Sequence, residues 1–99
     1  MKINTWHKRA CKGKDWQMVP RLECADGFTM SVQASRGHYC APRQDGAWPY
    51  RQFEIGYPSK KEQLIVKYAE DDGKYTDTVY GFVPVEIVNA VIAKHGGIK

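Results

Sequence analysis

The residues Phe28-Thr29-Met30-Ser31-Val32-Gln33-Ala34-Ser35 alternate apolar and polar side chains without a break, and no other stretch of the chain restricts the fold as tightly. Period two puts successive side chains on opposite faces, so this is a strand with one face in a core. Ala25-Asp26-Gly27 precedes it, and Met18 to Cys24 reads as its antiparallel partner. A two-residue Asp-Gly turn would pair Cys24 with Thr29 and Leu22 with Ser31, mixing apolar with polar side chains. A three-residue turn with Gly27 left-handed pairs Cys24 with Phe28, Leu22 with Met30 and Met18 with Ala34, all on one face. The second register is expected, with a bulge at Gly27. Pro20 cannot donate to a ladder, so the first strand lies at an edge or is locally broken.

Further along, Phe53, Ile55 and Tyr57 alternate with Gln52, Glu54 and Gly56 as a third strand. The segment 36–50 between them is long for a hairpin connection. A two-residue Asp45-Gly46 turn would set His38 opposite Phe53 and Ala34 opposite Tyr57, drawing the strands into an exposed ribbon. Ser59-Lys60-Lys61-Glu62 matches a capping box ahead of a helix with Leu64, Ile65 and Tyr68 on one face. Glu70-Asp71-Asp72-Gly73 ends it. Thr76, Thr78, Tyr80 and Phe82 then alternate with Tyr75, Asp77 and Val79 as a short fourth strand. A helix is expected over 84–95, with Pro84 in its first turn, Ile87, Val88, Val91 and Ile92 as its apolar stripe and Gly96 as its left-handed cap. Thr5 can cap another helix that runs to Lys14, with Gly13 near its end.

The expected architecture is α+β. A three- to four-stranded antiparallel sheet holds residues near 17–24, 28–36 and 51–57 in that spatial order, with two main helices and the C-terminal one packed on the sheet. Residues 1–99 make one small domain, in which 1–15 is a basic N-terminal segment with the freedom of a chain end. Charged residues at 26% and hydrophobic ones at 42% fit a globule rather than a disordered chain. No apolar run approaches the ~20 residues needed to span a bilayer, and the N-terminus lacks the apolar core of a signal peptide. Three cysteines at irregular spacing suit a reducing cytoplasm better than a disulfide framework.

Catalytic chemistry has little to rest on. His7, Cys11, Cys24, His38, Cys40 and His95 are ligand types, but their spacings match no zinc finger or ribbon. His38 and Cys40 lie too far apart on a strand, about 7 Å, for a thiolate–imidazole pair. The acidic run at 70–72 lacks the alternating ligands of a calcium loop, and no phosphate-binding or nucleophile-elbow motif occurs. The sequence therefore implies no enzyme, no catalytic residue, no metal and no cofactor.

It does offer a surface. Arg36, His38, Tyr39, Arg43, Trp48, Tyr50 and Arg51 fall within sixteen positions. Arginine with tyrosine and tryptophan supplies hot spots at protein interfaces. The same set stacks bases and neutralises phosphates, or else the rings fold back to roof the core. The charge is uneven as well. Residues 1–22 carry Lys2, Lys8, Arg9, Lys12, Lys14 and Arg21 against Asp15 alone, a net +5, which leaves −1 for the remainder. That end either steers an anionic surface or only aids solubility. The assigned partner-binding residues are thus Arg36, Tyr39, Arg43, Trp48, Tyr50 and Arg51, with Lys8, Arg9, Lys12 and Lys14.

Four stretches carry a resemblance. Residues Asp26 to Ser35 followed by His38-Tyr39-Cys40, Phe53-Glu54-Ile55-Gly56-Tyr57-Pro58-Ser59, Thr78 to Glu86 and Val91 to Ile98 resemble a family of short phage and prophage accessory proteins. The likeness covers residues 25–98 and brings no agreed activity and no catalytic residues. It implies an accessory protein at work in the cytoplasm of a bacterial host. Its implied role is to bind and block a host defence protein or ribonucleoprotein complex, as anti-CRISPR proteins do, or alternatively to bind nucleic acid; no membrane is involved.

Overall fold

In the computed structural model, which describes residues 1–12 and 18–99, the alternating stretch forms β2 (Thr29–Gln33). It lies between β1 (Leu22–Glu23) and β3 (Gln52–Gly56), and β4 (Val79–Pro84) completes a four-stranded sheet in the order β1-β2-β3-β4. All pairings are antiparallel, and helix α2 (Val85–Lys94) packs on β3 and β4. The fold is α+β, completed by helix α1 (Ile3–Cys11) and a 3₁₀ helix at Gln63–Tyr68.

The first hairpin has the three-residue turn. Leu22 pairs with Met30, Glu23 with Thr29, and Gly27 sits at φ +95°. Upstream of Pro20 the ladder fails, and Met18, expected opposite Ala34, is exposed while Val19 is buried. The side chain of Gln33 takes over there. Its Oε1 accepts from Val19 N at 3.0 Å and its Nε2 donates to Val19 O at 2.9 Å. A primary amide carries both a donor and an acceptor, so it substitutes for the missing strand backbone. Gln33, expected on the solvent side, is buried as a result.

Between β2 and β3 the partners are Val32 with Ile55 and Gln33 with Glu54, not Ala34 with Tyr57 or His38 with Phe53. The shift is even, so Val32 and Ile55 still face the core. No ribbon forms over 36–50. Ala41 makes one isolated bridge to Gln52, and the segment is otherwise irregular, with cis peptide bonds at Ala41–Pro42 and Trp48–Pro49. Side chains claim the polar groups a ribbon would have used. The Tyr50 hydroxyl donates to Gln44 O and accepts from Ala47 N, and Asn4 of α1 bonds both the amide and the carbonyl of Tyr50.

Ser59 is no helix cap. Its backbone amide donates to Thr29 O and its hydroxyl accepts from Thr29 N, which ties it to β2. Glu62 caps instead, accepting from Leu64 N at 2.9 Å. The helix it opens is 3₁₀ rather than α and buries Ile65, while Leu64 is exposed. Helix α1 starts at Ile3, two residues before the expected Thr5 cap, because Asn89 of α2 accepts from Ile3 N at 2.9 Å. Ile3, His7 and Cys11, four residues apart, form its buried stripe. Gly13, expected near its end, lies outside the described residues.

Helix α2 carries the expected stripe, but Pro84, expected in its first turn, ends β4 opposite Gln52 and stands at the N-cap. Val88, Val91 and Ile92 are buried and Ile87 half-buried. Gly96 at φ +89° ends it, and a Cβ there would meet Ala25 Cβ at 3.1 Å. The chain then runs beside β1, where Ile98 bridges Cys24 and Lys99 N donates to Glu23 O. That tail covers a sheet edge otherwise open to a second chain.

Candidate binding surface

Strand β4 carries an irregularity that builds the surface. Phe53 pairs with Val83 and Ile55 with Tyr80, so Gly81 and Phe82 together oppose Glu54 alone. An extra residue in one strand re-aims the side chains beyond it. Tyr80 and Val83 point into the core, and Phe82, expected on the same face as Tyr80, is turned out and 44% exposed. Its backbone lies in the left-handed region at φ +54°, a conformation that costs a residue with a Cβ about 1–2 kcal/mol.

Tyr39 crosses over this bulge. Phe82 N donates to Tyr39 O at 2.9 Å, and Tyr39 N donates to Glu54 Oε1 at 3.1 Å. A Cβ on Gly81 would come within 3.3 Å of Tyr39 Cβ, so the glycine lets the loop settle. The Tyr39 and Phe82 rings stack with centroids 5.8 Å apart, and Arg43 Cζ lies 5.6 Å from the Tyr39 centroid. Two exposed rings and a cation therefore form one patch. Arginine over an aromatic face is the arrangement of a cation–π contact.

The other loop residues divide. Arg51 is exposed. Arg36 is exposed but tied to Asp45, whose Oδ1 accepts from Arg36 N and whose Oδ2 lies 3.6 Å from its guanidinium. Tyr50, assigned to the partner surface from sequence, is 1% exposed and belongs to the core. Its ring packs edge-on against Trp48 and tilted against Phe53, and its hydroxyl is spent within the loop. His38 is buried, with Nδ1 2.6 Å from Ser35 Oγ. Ser35 is fully buried too, so this serine–histidine contact is enclosed within the fold.

Trp48 is half-buried, and its indole N–H donates to His7 Nδ1 at 3.0 Å. Lys8, Arg9 and Lys12 are exposed on and just beyond α1, and no ion pair involves them among the described residues. Lys14 lies outside the described residues. Sequence reasoning missed Phe82, because plain alternation carries it inward. The glycine just before it, in a strand otherwise read as regular, was the one signal of a bulge.

No group of His, Cys, Asp and Glu among the described residues could hold a metal ion, and no helix there is long and apolar enough to cross a membrane. Cys11, Cys24 and Cys40 are all buried and none forms a disulfide. Burial pushes the Cys24 and Cys40 thiols above their usual range. Denaturation without reductant should therefore release three titratable thiols per chain, and the native protein should react slowly with the same reagent. A value near one would mean a disulfide in the purified protein. Comparison with protein-family models, with curated proteins and with solved structures finds no match.

Proposed function

We propose that this protein is a non-catalytic binding protein of a phage or prophage, and that it blocks a host defence complex in the manner of an anti-CRISPR. The observation that supports a binding role is Phe82. A large apolar ring is held partly out to solvent on a strained backbone, stacked on another exposed ring, and such strain marks binding sites. Tyr39 and Arg43 beside it complete an aromatic–arginine set of the hot-spot kind. The class of target follows from the resemblance to phage accessory proteins. The exposed cations of α1 steer the approach to an anionic partner.

The test separates binding from folding. Phe82→Gly removes the ring and relieves the left-handed strain, so its melting temperature should equal or exceed that of the parent. Capture of the partner from bacterial lysate by the tagged full chain should fall with Phe82→Gly and with Arg43→Ala, each by about 2 kcal/mol or more in the affinity then measured. Expression should restore plating of a phage that the host's CRISPR system targets, and Phe82→Gly should abolish that rescue. Equal capture by parent and both variants would remove the patch from the interface. Absence of rescue in every CRISPR background tried would end the anti-CRISPR assignment. A second reading, nucleic-acid binding, draws support from the unpaired cations of α1. It predicts an affinity that falls steeply with salt.

A further inference from the structure

On a separate part of the molecule, a groove of about 780 Å³ runs between α1 and the Gly46–Trp48 turn. Thr5, Lys8 and Arg9 line one wall, at positions i, i+3 and i+4 of one face of α1, and Lys12, just beyond the helix, extends it. The opposite wall is the Trp48 indole, with Gly46 at its rim. We propose that this groove binds a nucleotide, its base against Trp48 and its phosphate among Lys8, Arg9 and Lys12.

Three observations support this assignment. First, the indole is fixed. Its N–H is committed to His7 Nδ1 at 3.0 Å, and its ring packs on His7 and edge-on against Tyr50. What the indole offers the groove is ring surface, which holds a planar base by stacking whatever its sequence identity. Second, Gly46 brings no side chain over the rim, and a Cβ there would lie in ordinary contact with Trp48 Cζ3 at 3.5 Å. Third, the facing wall carries three cations and, among the described residues, no ion pair that neutralises them. A purely apolar ligand would leave those charges unused, and a simple anion would leave the indole unused. A base joined to a phosphate uses both. The volume falls within the ~300–1,000 Å³ of ordinary ligand clefts.

The ligand could be a free mononucleotide or one nucleotide of a single strand, and the same titration tells them apart. Isothermal titration of the full chain at low salt should detect AMP, with adenosine and inorganic phosphate each binding at least tenfold more weakly. An eight-nucleotide oligo(U) that binds tenfold tighter than AMP identifies a single-stranded nucleic acid as the source, and equal affinity identifies the free nucleotide. The exposed-site double variant Lys8→Gln/Lys12→Gln should weaken AMP at least tenfold while leaving the melting temperature unchanged. Trp48→Leu should do the same where it folds. Phe82→Gly should bind AMP as the parent does, so failure here and failure of the Phe82 patch are read separately. No heat from AMP or oligo(U), phosphate binding as tightly as AMP, or an unaltered Lys8→Gln/Lys12→Gln variant would each overturn the assignment.

Discussion

Val91→Asp should destabilise the domain by about 4 kcal/mol or more. Val91 is fully buried in the middle of the α2 stripe, within the core built by Leu22, Phe53, Ile55 and Val83. The substitution removes apolar contact and places a carboxylate where no water reaches, and an unpaired buried charge is among the few causes of losses this large. Rescue by a neighbouring cation is blocked. The cations within reach on the same helix would be Lys94 and His95, three and four residues on, and both are already engaged by carboxylates. Lys94 Nζ lies 2.9 Å from Glu62 Oε2, while His95 bridges Asp26 and Glu62 at 2.6 and 2.7 Å. Small domains hold only about 5–15 kcal/mol in total, so the loss is a large share. The control is Ala93→Asp on the exposed side of the same helix, which should cost only about 1 kcal/mol, from lower helix propensity and a carboxylate in the last turn. Urea unfolding of the three proteins measures both. A Val91→Asp midpoint equal to that of Ala93→Asp would mean that the α2 stripe is not the core face.

The hairpin around Gly27 and the α2 stripe were legible because each rests on a local period. One-residue slips in either would bury polar groups, so the pattern admits a single register. The loop over 36–50 was not legible, since its conformation is decided by partners remote in sequence. Asn4 holds Tyr50 from 46 positions away, and Trp48 meets His7 from 41. For the same reason Tyr50 read as a surface aromatic, although its hydroxyl and backbone find partners that let the whole ring be buried. Glu62 shows a subtler miss. Its spacing from Ser59 fits a capping box, but Ser59 is recruited to β2, and the carboxylate serves Leu64, Lys94 and His95 instead. Tertiary partners outbid a local motif worth about 1 kcal/mol. The candidate patch was half legible. Tyr39 and Arg43 were named by composition, whereas Phe82 needed the bulge to bring it beside them.

Stability should be greatest near pH 6.5 and fall on either side, because two histidines are held in opposite protonation states. His7 is neutral. It is fully buried among the rings of Trp48, Tyr50 and Phe53, and its Nδ1 accepts the Trp48 N–H, which a protonated ring could not do. Burial, with the charge of His38 adding to it, lowers its pKa to about 4. The unfolded chain takes up a proton near pH 6.5 and the folded one resists, so this contribution is complete above 6.5. It is lost as pH falls toward 4, by about 3 kcal/mol. His38 is shifted downward as well, chiefly by burial, and adds to the same acid limb. His95 behaves in the reverse way. Its two ring nitrogens face Asp26 and Glu62, so both must carry protons, and its ring stacks on Phe28 at 4.0 Å. Burial works against that charge, but the hydrogen bonds to the two carboxylates prevail and raise its pKa. This contribution is complete below pH 6.5 and is lost as pH rises through the raised value. Asp26 and Glu62 are both shifted down, so neither surrenders its charge until the pH is below the usual carboxylate range. Unfolding free energies from pH 4.5 to 9 check the scheme. His7→Phe keeps a ring among rings and removes the buried Nε2–H, which has no partner among the described residues. It should flatten most of the acid limb and leave the residue due to His38. His95→Gln should flatten the alkaline limb and leave the acid one intact. An acid limb unchanged in His7→Phe would show that the Trp48–His7 bond does not hold the imidazole neutral, and the fixed indole wall of the nucleotide groove would lose its support with it.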